Sequence, residues 1–391
     1  LPYNSFEEIK VKNARYFKLD SVGNKRLIEN VKVRYLDDKD YFINGIFYSD
    51  LKVKQFKCSI ELPDIFVVRY SYEKIFKDLR FLNSFFLQHE EESIEKVKIS
   101  ISKNSDLKLD IYDFNLSPNI KKSESDEKIF YSAEKLIPYN IHANSVNGNY
   151  YLPHIIVSVN SYKTTNHEVN VLSSVDEMNK WNHRLIKQLV NDKVAITLLG
   201  NRIISNEGSK YKKVTKLLQW VQQNIQYIAF EDGIAGFKPA SANHVAKSRY
   251  GDCKGIANLL VNLLRSQGFK AYHAWLGTRS NNYDYSTPSL VVDNHMICVL
   301  EIDGETYYLD GTSKFSDWQI PPPHLEGKEV LIAQDEGYRR THIKSSTPLD
   351  NTLCITGNID LDAIEPIVEL KFSLKGHFKS DLIGAMAYTS N

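Results

Sequence analysis

The first 170 or so residues alternate apolar and polar side chains with a period of two. Val31, Val33 and Tyr35 are separated by charged residues, Val97, Ile99 and Ile101 interleave with Lys96, Lys98 and Ser100, and Leu107, Leu109 and Ile111 repeat the pattern. Such alternation marks strands with one wet face. Antiparallel sheets packed face to face would bury the apolar stripes, so a sandwich or curved sheet is expected. A polar loop is expected around Lys121 to Lys128, and alternation resumes from His154 to Tyr162.

At Ser174 the period changes. Ser174-Val175-Asp176-Glu177 has the form of a capping box, and Met178, Trp181, Leu185 and Leu189 follow at helical spacing. This is the expected domain boundary. Tyr211, Val214, Leu218, Val221 and Ile225 form a second amphipathic stripe. The stretch from Phe230 to Pro239 should be a loop, and Ser241 the N-cap of a short helix through Lys247. Ile256, Leu259, Leu260, Leu263 and Leu264 predict a buried helix, opened by Tyr250-Gly251-Asp252-Cys253-Lys254 and closed by Gly268. Lys270 to Leu276 and His295 to Ile302 read as strands flanking a polar loop from Thr278 to Pro288. Asp303-Gly304 is a hairpin signal that returns the chain along Glu305 to Asp310. After Pro321-Pro322-Pro323 the pattern is irregular. From about Cys354 it alternates again, with Val368, Leu370 and Phe372 on one face.

Length and charge narrow the picture. The 391 residues suit two or three domains, and 49 Lys+Arg against 48 Asp+Glu leave a net charge of +1. With no basic stripe to displace counterions, a nucleic-acid partner is not expected. No run approaches the roughly 18–20 apolar residues of a membrane span. Leu1-Pro2-Tyr3 lacks an initiator Met, so a processed or trimmed product is expected. Cys58, Cys253, Cys298 and Cys354 lie far apart without C-x-x-C spacing, which predicts neither a zinc knuckle nor a disulfide framework.

One cysteine stands out. Cys253 falls in the first turn of a helix, where unpaired backbone N–H groups and the macrodipole favour a thiolate. The adjacent Asp252 opposes this, so a base must complete the activation. If Asp303-Gly304 is a two-residue turn, Ile302 faces Glu305 and Ile297 faces Asp310. His295 then forms a diagonal cross-strand pair with Asp310, close enough for the carboxylate to orient the imidazole. A one-residue slip would break this pairing and bring Asp293 forward as the rival partner. Zinc held by Cys253, His295 and Asp310 would suit the ligand types, but a triad accounts for the helix placement equally, so no metal or cofactor is expected. His273 reads as a satisfied core histidine, and Cys298 as a packing residue. Gly233 and Gly236 lack the Lys and Ser/Thr of a phosphate loop.

The run Tyr250-Gly251-Asp252-Cys253-Lys254, preceded by Gly236-Phe237-Lys238-Pro239 and Arg249 and followed by Asn294-His295-Met296 and Tyr308-Leu309-Asp310-Gly311-Thr312, resembles the bacterial transglutaminase-like superfamily over about residues 175–345. The order of segments is similar to that of proteins, common in Bacteroidetes, that pair a DUF3857 domain with that core. Gly255 departs from the pattern, since many relatives carry an acidic residue there. The resemblance implies a papain-like core with Cys253 as nucleophile, His295 as general base and acid, and Asp310 as orienting carboxylate. The backbone N–H of Cys253 and the side chain of Tyr227, or else Gln226 or Trp220, would serve as oxyanion donors.

The expected fold class is therefore α+β: a β-rich DUF3857-like domain over 1–172, a transglutaminase-like catalytic core over 173–345, and the start of a C-terminal β-domain over 346–391. The expected function is thiol-dependent acyl transfer on a protein or peptide carboxamide through a Cys253 thioester. Water would make the enzyme a cysteine peptidase or amidase, and an amine would make it a transglutaminase. The competing expectation is a catalytically inactive envelope binding or assembly module built on the β-rich half. Relatives usually carry an export signal, which implies a periplasmic or envelope location.

Overall fold

The computed structural model describes residues 1–391 apart from 20–24, 27–33, 41–47, 58–65, 83, 140–141, 143, 361–366 and 390–391. Val31, Val33 and Cys58 therefore lie outside the described residues. The fold is α+β. Its helices among the described residues are α1 (Val175–Lys187), α2 (Lys193–Ile204), α3 (Lys210–Asn224), α4 (Ala242–Ser248), α5 (Cys253–Ser266) and α6 (His377–Thr389). The chain packs as two units, one made of Leu1–Leu82 and Ile228–Phe237, the other of Asn83–Tyr227 and Lys238–Asn391.

The first unit is built on a long antiparallel pair, Glu7–Leu19 against Phe66–Phe76, with a bulge between Val11 and Asn13. Glu7 is buried there, and both its carboxylate oxygens accept from Lys74 Nζ at 3.1 Å. Phe230–Glu231 pairs in parallel with Tyr48–Ser49, and the Phe237 ring lies 5.1 Å from that of Phe81. The stretch expected to be a loop from Phe230 to Pro239 thus begins as a strand and continues through a 3-10 turn at Gly233–Gly236. Two residues paired with a segment 180 positions away leave no local period to read.

In the second unit, the strand His154–Lys163 lies between Leu107–Phe114 and Glu168–Asn170 and also pairs with Ser84–Phe86. Ile94–Ser102, Lys128–Leu136 and Lys121–Glu124 make a further antiparallel sheet. The first half of the loop expected around Lys121 to Lys128 is that edge strand. All four of its residues are exposed, so no apolar face marks it. Ser174 caps α1 as its sequence predicts, by accepting from Glu177 N at 3.3 Å, but the helix ends before Leu189. α2 escapes the periodicity because its apolar residues point both ways: Ile196 is buried, while Val194 and Leu198 are 70% and 63% exposed.

A five-stranded antiparallel sheet has the order Glu305–Leu309, His295–Ile302, Lys270–Leu276, Glu329–Ala333, Tyr338–His342. The last two strands occupy part of the stretch whose pattern is irregular. α5 packs on this sheet through Leu260, Leu264 and Ile256, which meet Cys298 and Leu300 from the sheet and Val214, Leu218 and Val221 from α3. Each fully buried aliphatic side chain contributes about 1.5–3 kcal/mol, so the position of α5 is strongly fixed. The backbone from Thr278 to Pro288 is irregular, as expected, but it is anchored. Tyr283 and Tyr285 are buried in a cluster with Ile156, Met178 and Leu331. Where the pattern alternates again, Leu353–Asp360 and Ile367–Leu374 pair antiparallel, and α6 follows.

Candidate active site

The N-terminus of α5 is set by Asp252, whose Oδ1 accepts from Gly255 N at 2.8 Å. Its other oxygen, Oδ2, pairs with Lys254 Nζ, and both residues are buried. The negative charge next to the cysteine is thus spent on the cap and neutralised by the following lysine, which removes the conflict posed by the sequence. Gly255 has a steric cause as well. A Cβ there would lie 3.0 Å from Val245 Cγ2 and 3.4 Å from Asp252 Oδ1, so any side chain at this position would require Val245 to shift by a few tenths of an ångström. Cys253 opens the helix and is 9% exposed.

His295 opens its strand opposite Leu276, held by Asn294. The Asn294 Oδ1 accepts from Thr278 N at 2.8 Å, and its amide donates to Thr278 Oγ1 at 3.1 Å. The hairpin register is that of a two-residue turn. Asp303 and Gly304 take φ of 56° and 83°, Ile302 pairs with Glu305, and Cys298 pairs with Leu309. Asp310 follows directly and bonds the His295 imidazole, Nε2 to Oδ2, at 2.8 Å. With Nε2 engaged, Nδ1 is left for the Cys253 thiol, which also hydrogen-bonds this ring. Burial alone would lower the His295 pKa. The Asp310 charge and hydrogen bond, with the Cys253 contact, outweigh it and hold the imidazole well above the ordinary histidine value.

Asp310 is itself buried. Burial would raise its pKa, but His295 and then His324 drive it well below the usual carboxylate range. Its Oδ1 accepts from Thr312 N at 2.9 Å and from Thr312 Oγ1 at 2.7 Å. His324 Nε2 reaches Oδ2 at 2.9 Å, sharing that oxygen with His295. Sequence reasoning misses His324. It follows Pro321-Pro322-Pro323 in an irregular stretch, and its place is set from a distance, where Arg279 N donates to its carbonyl at 2.8 Å. The proline run was the only local signal that position 324 would be held rigidly.

Asp293, the rival partner, bonds the Tyr285 hydroxyl at 2.6 Å. Among the described residues, the carboxylate bonded to His295 is Asp310. Gln226 and Tyr227 are exposed and pair in parallel with Tyr250 and Gly251, which places the Tyr227 backbone beside the residue two before Cys253. Trp220 is half-buried on α3 with the Arg249 guanidinium 4.8 Å over its ring. His273 is buried against Asn258 Oδ1 at 3.1 Å, and burial lowers its pKa to about 3. Cys298 lies in the core, where burial pushes its thiol up. Both match the packing roles expected of them.

A solved structure of a "putative protease" from Parabacteroides distasonis shares the fold, with a TM-score of 0.60 at 15% identity over 88% of this chain and 64% of that one. This chain therefore spans less than two thirds of that protein's length. A "putative cysteine protease" from Cytophaga hutchinsonii aligns with a TM-score of 0.29 at 12% identity, over 74% of this chain and 84% of that one. No curated protein sequence matches the chain. Residues 198–299, which include Cys253 and His295, match the model of the transglutaminase-like superfamily.

Proposed function

We propose that the chain is a thiol-dependent acyl-transfer enzyme acting on a protein or peptide carboxamide. The observation that carries this reading is that one imidazole, His295, bonds both Cys253 and Asp310. His295 Nδ1 takes the thiol proton and Cys253 Sγ attacks the carbonyl carbon, while Asp310 orients the ring and stabilises its charge. The Cys253 N–H and the side chain of Tyr227 or Gln226 support the oxyanion. The C–N bond breaks as His295 passes the proton to the leaving amine, and a thioester remains. Water then attacks, His295 accepts its proton, the C–S bond breaks and the thiol returns. The resemblance to bacterial transglutaminase-like proteins favours water over a lysine amine, and hence a peptidase or amidase.

On this reading, residues 173–345 are the catalytic module between a DUF3857-like β-rich segment, 1–172, and the beginning of a β-domain, 346–391. The proposed location is periplasmic or at the cell envelope. No helix among the described residues is long and apolar enough to cross a membrane.

Iodoacetamide labelling at pH 7, read peptide by peptide, tests the reading. Cys253 should react at least about tenfold faster than the exposed Cys354, despite its burial. Equal, slow labelling of Cys253 and Cys354 would overturn it and favour a non-catalytic envelope module.

A further inference from the structure

The triad reading uses one histidine on Asp310, yet two share the same carboxylate oxygen, and the second has no part in the acyl-transfer steps. We propose that His295, Asp310 and His324 form a binding site for a divalent transition metal of the zinc class, and that filling it switches the thiol chemistry off. The two Nε2 atoms and the carboxylate lie within 4.8 Å of one another. Both N···O separations, 2.8 and 2.9 Å, are hydrogen-bond distances. A tetrahedral zinc with bonds of about 2.0–2.1 Å sets its ligand atoms about 3.3–3.4 Å apart. Seating the metal therefore needs each N···O pair to open by about half an ångström.

The donor set fits the ion. Two imidazoles and a carboxylate leave a fourth position for water, as in open zinc sites. The Thr312 N–H and hydroxyl already fix the opposite oxygen of Asp310, which is how metal-binding carboxylates are oriented from outside the ligand shell. Entry is possible from one side. The His324 side chain is 38% exposed, against 10% for His295 and 1% for Asp310. Cys253 is not a ligand, because among the described residues the group of ligand atoms within 4.8 Å of one another holds His295, Asp310 and His324 alone. This set therefore differs from the Cys253, His295 and Asp310 set that ligand chemistry alone allows.

The off state follows from proton placement. In the metal-free site the His295 ring keeps one proton on Nε2, donated to Asp310, and its Nδ1 takes and holds the proton of the Cys253 thiol. A metal takes the Nε2 lone pair and displaces the proton there, so the one ring proton left sits on Nδ1 and faces Cys253. The imidazole then has nothing with which to accept the thiol proton, and Asp310 is occupied by the metal. His324 changes tautomer in the same way, and any imidazolium releases one proton on binding. Binding stands on the ligand geometry alone, whereas the switch rests on the catalytic reading above.

Zinc chloride titrated into the full chain carrying Cys354→Ser, which removes the exposed thiol, tests binding by calorimetry. One-to-one binding is expected. It should be weakened about tenfold or more by His324→Ala or His324→Gln with the far-UV circular dichroism spectrum unchanged, and altered less than about threefold by Cys253→Ser. Cobalt in place of zinc should show no thiolate charge-transfer band. Absence of saturable binding, equal binding by the His324 variants, or loss of binding in Cys253→Ser would overturn the site. Iodoacetamide labelling of Cys253 should slow with zinc and recover with EDTA, and unchanged labelling of the zinc-loaded chain would overturn the switch. His324-dependent binding in a chain whose Cys253 never outpaces Cys354 keeps the metal site and sinks the catalytic reading. Fast Cys253 labelling with zinc binding indifferent to His324 does the reverse.

Discussion

Two carboxylates flank the His295 strand, and their surroundings drive them in opposite directions. Asp310 receives four donors, His295 Nε2, His324 Nε2, Thr312 N and Thr312 Oγ1, and is held charged despite burial. Asp293 meets the hydroxyl of Tyr285, which lies 2.6 Å from Asp293 Oδ1 and 2.8 Å from the Trp275 carbonyl. One phenolic proton cannot serve both contacts. They are satisfied together when Asp293 is protonated and donates to Tyr285, which donates in turn to Trp275. In agreement, burial pushes Asp293 up to about 7, against the lowering effect of the Tyr285 hydrogen bond. Enclosure alone therefore does not decide the charge of a carboxyl group. The number of donors aimed at it does.

The contrast can be broken most severely at Asp310. Asp310→Asn should slow Cys253 alkylation at neutral pH by up to about a hundredfold, because the amide favours the wrong imidazole tautomer and the thiolate fraction falls to that of an ordinary thiol. The His295 pKa, followed by NMR, should fall back toward the ordinary histidine range. Full alkylation by this variant would remove Asp310 from the chemistry. The expected pH dependences also oppose each other. The lowered pKa of Asp310 contributes stability above the unfolded carboxylate value of 3.8, lost as pH falls further. The raised pKa of Asp293 means that its contribution is lost as pH climbs from about 4 to about 7, by up to about 4 kcal/mol. Asp293→Asn mimics the protonated acid. Urea unfolding should therefore find it close to wild type at pH 5 and more stable than wild type at pH 8. A wild type that keeps its lead at both pH values would show that Asp293 folds as a carboxylate.

The smallest effect is expected at Thr312. Thr312→Val keeps the backbone donor but deletes the hydroxyl bond to Asp310 Oδ1. A hydrogen bond to a charged group is worth about 1.5–3 kcal/mol, so alkylation should slow by about tenfold with His295 still bonded to Asp310. An unchanged rate would mean that the backbone N–H and the two imidazoles suffice to hold the carboxylate.

The legible parts of the site were those fixed by local rules. Asp303-Gly304 set the hairpin register, and the register set His295 beside Asp310. The leucines of α5 and its closing Gly268, at φ 82°, located the helix start and with it Cys253. His324 was illegible because no periodic element carries it. Its approach to Asp310 depends on a loop tied to Arg279, a contact across 45 positions that no spacing rule encodes. The same holds for Asp293, whose neighbour Tyr285 lies in a stretch that reads as polar loop but packs as core. α2 was hidden for a different reason, since apolar residues on both its faces blur the helical period.

The contribution of Ile228–Phe237 to the first unit bears on synthesis of the chain. The ribosome releases the first 82 residues well before that strand exists. Residues 83–227, made at about 5–20 per second, delay it by roughly 7–29 s. During that interval Tyr48–Ser49 lacks its parallel neighbour, so the N-terminal unit cannot finish before the helices α1 to α3 have emerged. Because residue 237 precedes residue 253, the missing strand becomes available before Cys253 has emerged. Whether the chain emerges from a ribosome or through a membrane, N-terminus first, all strands of the N-terminal unit are therefore available before Cys253 appears.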